Sequence, residues 1–118
     1  LYIQTELCTG SLEDVRKRQG AQSEDTLREI LVQIATGLAF MHAHNMAHLD
    51  VKPDNIYTTE RGIYKLGDLG LASSASPRTH EDEGDKRYLS RELLQQQDNC
   101  DLFKADIFAL GVTILETA

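Results

Sequence analysis

His48-Leu49-Asp50-Val51-Lys52-Pro53-Asp54-Asn55 is followed, thirteen residues after Asn55, by Asp68-Leu69-Gly70. Either piece alone says little. A His-x-Asp triplet is common, and Asp-x-Gly reads as a turn. Together, in this order and at this spacing, they are specific. Asn55 and Asp68 are hard oxygen ligands of the kind that suits a small divalent cation. Pro53 stiffens the first run, and Gly70 frees the backbone just after Asp68.

Upstream of this run, Leu27, Ile30, Leu31, Ile34, Leu38 and Met41 form one apolar stripe at helical spacing. With Ser23 as N-cap, the stripe predicts a long amphipathic helix from Glu24 to His44, closed by Asn45. Before it, Ser11 with Asp14 three residues on reads as the start of a short helix through Arg18, ended by Gly20. Leu1 to Glu6 is a short apolar run and predicts a strand, broken by Gly10. Downstream, Ile56 to Thr59 and Ile63 to Leu66 flank Glu60-Arg61-Gly62 and predict a hairpin. Ala72 to Asp85 is too polar for a core element. Ser90 to Gln97 can cap and start a short helix. Lys104 to Thr117 is apolar nearly all round, which predicts a helix buried on most sides. The order is that of an α+β fold, mainly helical, with a small β-hairpin region.

The chain has 118 residues, 41% hydrophobic and 26% charged, as an ordinary globular sequence has. Its net charge of −7 argues against nucleic acid as a partner, because phosphate binding needs clustered Lys and Arg. Cys8 and Cys100 stand far apart and make no disulfide framework, so a reducing compartment is the default. The most apolar stretch, Ile107 to Leu115, is about half of the ~20 residues that a membrane-spanning helix needs. Neither end resembles a natural terminus, and the expectation is one partial domain over residues 1–118.

The two runs resemble the catalytic loop and the metal-binding triplet of eukaryotic protein kinases. The resemblance extends along the whole chain. Glu6-Leu7-Cys8 stands where the hinge between lobes would be, and Ser90-Arg91-Glu92 where the activation segment closes. Asp106-Ile107-Phe108-Ala109-Leu110-Gly111 matches the opening of the buried central helix. It implies a protein-kinase-like fold represented by its C-terminal lobe, with the N-terminal lobe missing upstream. It also implies ATP and Mg²⁺ as cofactors and phosphoryl transfer to a protein hydroxyl. Asp50 would then orient the attacking hydroxyl, and Lys52 would bring positive charge to the transferring phosphate. Asn55 and Asp68 would hold Mg²⁺, and Glu6, Cys8 and Asp14 would join them in the nucleotide site. Thr5 would stand beside the adenine pocket. His48 reads as a loop anchor rather than a base. His42, His44 and His48 lack the companion ligands of a metal site. A chain of this extent, without the lobe that covers ATP, is expected to be inactive by itself.

Glu83-Gly84-Asp85-Lys86-Arg87-Tyr88 departs from the usual Ser/Thr-kinase pattern and is similar to the Wee family, the mitosis-inhibitory kinases that phosphorylate cyclin-dependent kinases on tyrosine. Leu69, in place of the usual Phe, is shared with some of its members. That resemblance implies a cyclin-dependent kinase as protein substrate and a nuclear or cytoplasmic location. A Ser/Thr kinase of another family and a non-catalytic scaffold stay open as alternatives. Leu49 occupies the place of the Arg that receives a loop phosphate in many kinases, so Ser73, Ser74, Ser76 and Thr79 lack that receptor. A Lys52–Asp85 ion pair is expected to hold the segment against the catalytic loop instead.

Overall fold

In a computed structural model, residues 2–74, 85–95 and 100–118 are described. Residues 83 and 84 of the Wee-like run, Ser76 and Thr79, and the end of the helix expected up to Gln97 lie outside them.

Helix α1, Leu12–Gln19, starts on Ser11, whose Oγ accepts the Asp14 N–H at 3.1 Å while Asp14 Oδ2 accepts the Ser11 N–H at 2.9 Å. This reciprocal capping box satisfies donors that the helix leaves free, and Gly20 at φ +75° ends the helix. Two-residue strand β1, Gly10–Ser11, precedes it. Helix α2, Glu24–Ala43, is twenty residues long and is capped by Ser23. Of its stripe, Ile30, Ile34 and Leu38 are buried and meet Leu12 of α1, Val51, Ile56 and Leu110 in one core, while Leu31, expected to share that face, is 41% exposed.

Strand β2, Met46–Ala47, follows a turn at Asn45, whose φ of +58° an Asn tolerates better than most residues. The single 3₁₀ turn Pro53–Asn55 leads into β3, Ile56–Thr58. Strand β4, Tyr64–Leu66, pairs antiparallel with β3, setting Tyr57 opposite Lys65. This is the predicted hairpin. Strand β1 adds to its other edge, so that the sheet order is β1-β3-β4. A second small sheet joins β2 to β5, Ser73–Ser74. Helix α3, Arg91–Leu94, is short, and α4, Leu102–Thr117, packs across α2.

Four expectations need correction. Residues 2–6 form no strand, and Tyr2, Ile3 and Leu7 are exposed. A lone extended segment has no ladder to join, so its apolar residues do not suffice. The segment read as loop from Ala72 begins with β5, because paired backbone rather than side-chain character makes that strand. Ser90 begins α3 but makes no side-chain cap. Helix α4 is not buried on most sides. It buries Ala105, Asp106, Ala109, Leu110, Thr113 and Thr117, while Ile107, Phe108 and Leu115 are 52%, 49% and 78% exposed. Thr113 and Thr117 are tolerated in the interior because each hydroxyl donates to a carbonyl four residues back. Among the described residues, no helix is long and apolar enough to cross a membrane.

Candidate active site

The loop carrying Asp50 is shaped from a distance. Asp106, at the buried opening of α4, presents Oδ1 to the Leu49 N–H and Oδ2 to the His48 N–H, both at 2.8 Å. His42 Nε2, on α2, donates to the same Oδ2 at 2.8 Å. Phe103 stacks on the His42 ring with centroids 4.6 Å apart. Two loop amides thus converge on one carboxylate and hold Leu49 at φ +67°, a conformation that costs a β-carbon-bearing residue on the order of 1–2 kcal/mol. The Leu49 side chain is buried, which helps to offset that cost.

His48, fully buried, joins the loop to the segment before Asp68. Its Nδ1 accepts the Asp50 N–H at 3.3 Å, so Nε2 carries the proton and donates to the Gly67 carbonyl at 3.0 Å. It is the anchor that the sequence reading expected. A Cβ on Gly67 would fall 2.8 Å from the Tyr57 ring, so any larger residue there would have to push that ring aside.

These constraints bring Asp50, Lys52 and Asn55 together. Asn55 Nδ2 donates to the Asp50 carbonyl at 2.8 Å and to Asp50 Oδ2 at 2.7 Å. Lys52 Nζ sits 3.0 Å from the same Oδ2. Both amide hydrogens of Asn55 are thereby spent, and its oxygen is the atom left for a cation. Oδ1 of Asp50 faces the other way, 3.5 Å from the Asp85 N–H. Asp68 is exposed, at φ +57°, and its Oδ1 accepts the Gly70 N–H at 3.2 Å. Among the described residues, no three His, Cys, Asp or Glu side chains cluster as a metal site would require. The free oxygen of Asn55 and the exposed Asp68 carboxylate are both hard donors of the kind that suits such a cation.

Of the other expected nucleotide contacts, Asp14 and Glu6 have partners outside the Asp50 group. Asp14 spends its carboxylate on the capping box with Ser11, and those hydrogen bonds hold its pKa below the ordinary value. Glu6 pairs with Lys65 at 2.6 Å, tying the extended segment to β4. Cys8 is half-buried and a free thiol.

The expected Lys52–Asp85 pair is not made. Lys52 is on Asp50, and Asp85 takes Arg87 instead, through Nε at 3.2 Å and a terminal nitrogen at 2.8 Å. The hydrogen bonds from Arg87 lower the Asp85 pKa. A bidentate guanidinium two residues away outcompetes a more distant ammonium. Sequence reading also gave Asp106 no role beyond a motif match. The signal was present: an Asp at the mouth of an otherwise apolar helix needs buried partners.

The protein kinase domain family matches residues 1–118, and the chain belongs to that family. In keeping with the resemblance read from the sequence, it is 48% identical to a Wee1-like protein kinase of Arabidopsis thaliana, over 98% of this chain and 23% of that protein. It is 45% identical to the mitosis inhibitor protein kinase wee1 of Schizosaccharomyces pombe, over 100% of this chain and 14% of the relative. It is 41% identical to the membrane-associated tyrosine- and threonine-specific cdc2-inhibitory kinase wee-1.3 of Caenorhabditis briggsae, over 100% of this chain and 18% of the relative. The chain therefore spans less than a quarter of the length of these relatives.

Proposed function

We propose that the protein is a Wee-like protein kinase that moves a phosphoryl group from ATP to a tyrosine hydroxyl of a cyclin-dependent kinase, in the nucleus or cytoplasm. The observation that carries the chemistry is the joint hold of Asn55 and Lys52 on one oxygen of Asp50, with the other oxygen turned away. Two donors hold Oδ2 of Asp50, and Oδ1, which the Asp85 N–H approaches at 3.5 Å, is the atom that would accept the hydrogen bond of an incoming hydroxyl. Lys52 would bring its charge to the transferring phosphate. ATP and Mg²⁺ are used by the protein kinase family generally. Asn55 and Asp68 would hold the metal, which when bound neutralises charge on the phosphates. Tyrosine specificity and the cyclin-dependent-kinase target rest on the similarity to the Wee-type relatives, whose names include mitosis inhibition and cdc2 inhibition.

The test uses the full-length protein, ATP and a cyclin-dependent kinase. Asp50→Asn and Asp68→Asn should each lower kcat on the order of 10³-fold, since charge stabilisation of the transition state is the main contribution in this chemistry. Phosphoamino-acid analysis should find phosphotyrosine. A near-normal kcat for either variant would point to a scaffold, and phosphoserine alone to a Ser/Thr kinase.

A further inference from the structure

At the candidate active site the Lys52 ammonium sits on one carboxylate, Asp50, while a second residue bearing one, Asp85, has its N–H 3.5 Å from Asp50 Oδ1. Asp50 and Asp85 border the same depression, whose apolar walls include Leu49, Val51 and Tyr88. Lys52 serves Asp50 at 3.0 Å, and its charge also acts on Asp85. Among the groups that lower the Asp85 pKa, the Arg87 hydrogen bond is foremost and the Lys52 charge is last.

Arg87 gives Asp85 three donors: its backbone N–H at 3.1 Å, Nε at 3.2 Å and a terminal nitrogen at 2.8 Å. The guanidinium is itself held in place. It lies over the Tyr88 ring, 5.3 Å from the centroid, and 3.9 Å from Glu116 Oε1 near the end of α4. Glu116 also accepts the Tyr88 hydroxyl and faces Arg16 of α1 at 3.6 Å. Arg87 therefore connects the segment beside Asp50 to two helices. With the Arg87 side chain 65% and that of Asp85 24% exposed, the pair adds little to global stability, and any role it has is local.

We propose that Arg87 is a positioning residue: by occupying the Asp85 carboxylate, its guanidinium keeps Lys52 on Asp50, where the ammonium can serve the transferring phosphate. The inference rests on the phosphoryl-transfer reading of Asp50 and Lys52, and deepens it. Without Arg87, Asp85 is a nearby carboxylate lacking its side-chain partner, and Lys52 is the cation already acting on it. The clamp needs no phosphate on the loop, which suits a chain with Leu49 where a phosphate-binding Arg could stand.

The experiment compares full-length wild type, Arg87→Ala, Arg87→Lys and the double variant Arg87→Ala/Asp85→Asn. The substrate is a synthetic tyrosine peptide copying the phosphate-binding loop of a cyclin-dependent kinase. Crystal structures of wild type and Arg87→Ala accompany the kinetics. Arg87→Ala should lower kcat on the order of tenfold, in the range of coupling between neighbouring charges, and move the KM for ATP much less. Arg87→Lys keeps a cation for Asp85 and should lose less. Neutralising Asp85 in the Arg87→Ala background should restore kcat to within about threefold of wild type, because no rival carboxylate remains. A purely structural loss would not be rescued by a second substitution. In the Arg87→Ala crystal, Lys52 Nζ should lie within about 4 Å of the Asp85 carboxylate. An undiminished kcat for Arg87→Ala, a double variant no faster than the single one, or Lys52 still on Asp50 in that crystal would each overturn the proposal. A wild-type protein without turnover would sink the phosphoryl-transfer reading instead, and the crystals would still decide where Lys52 goes.

Discussion

Helix α1 and the loop around Asp50 are similar in length and opposite in origin. Every contact that starts and stops α1 lies within a few residues: Ser11 with Asp14 at one end, and the Gly20 N–H on the Arg16 carbonyl at the other. Along its flank, Glu13 reaches Arg16 at 2.8 Å and Lys17 at 3.3 Å. The loop takes its shape from Asp106, more than fifty residues away in sequence, and from Gly67, nineteen residues on from His48. A local device can be lost with little effect elsewhere. A buried carboxylate holding two amides and an imidazole cannot, because its removal leaves several donors unpaired in the interior.

Asp106→Asn is the sharpest way to break this contrast. The amide keeps the shape but has one acceptor oxygen where the carboxylate has two, and its NH₂ would face amide donors. A loss of about 3–5 kcal/mol is expected, the range for disrupting a buried, hydrogen-bonded charge. Denaturant unfolding of the full-length protein measures it, and a cost under about 1 kcal/mol would mean that Leu49 holds its backbone without help. Hydrogen exchange should show the His48 and Leu49 amides losing protection first.

Ser11→Ala should cost about 1 kcal/mol, as is usual for a lost N-cap, and leave the exchange of the loop amides unchanged. A coupled change in the loop would contradict the local character of α1. Acid probes the same helix most gently. The Arg16 hydrogen bond lowers the Glu13 pKa, and the Ser11 hydrogen bonds lower that of Asp14. A lowered folded-state pKa gives stability that is present above the unfolded values, 4.5 and 3.8, and lost as pH falls through the lower folded ones. Both groups are near the surface, so the effect is small and weakens further in salt. The difference in melting temperature between wild type and Asp14→Asn should therefore shrink as pH is lowered below about 4. A difference independent of pH would show that the carboxylate charge has no part in the cap.

The legible parts of the molecule were those governed by nearest neighbours along the chain. The stripe on α2, the two Ser caps, Gly20, Asn45 and the β3–β4 hairpin depend on periodicity and turn chemistry, which a sequence displays directly. The candidate residues Asp50, Lys52, Asn55 and Asp68 were picked out by type and spacing, and the structure brings the first three together. Their pairings were not legible. Lys52 had Asp50 and Asp85 within plausible reach, and choosing between them required knowing that Arg87 folds back on Asp85. Strands β1, β2 and β5 were missed because two-residue pairings carry no side-chain pattern. The exposed face of α4 was missed because Ile107, Phe108 and Leu115 have the same apolar character as buried neighbours such as Leu110.

By itself, the sequence determined the order of the helices with the β3–β4 hairpin, the kinase resemblance and the candidate groups for the chemistry. Hydrophobic period, capping and motif spacing are one-dimensional properties and survive without coordinates. Only the tertiary structure decided which carboxylate holds which cation, that Asp106 with His42 supports the backbone before Asp50, and that Asn55 spends its hydrogens on Asp50. Those outcomes are competitions among groups far apart in the chain. They are settled by distances of about an ångström, to which spacing along the sequence is blind.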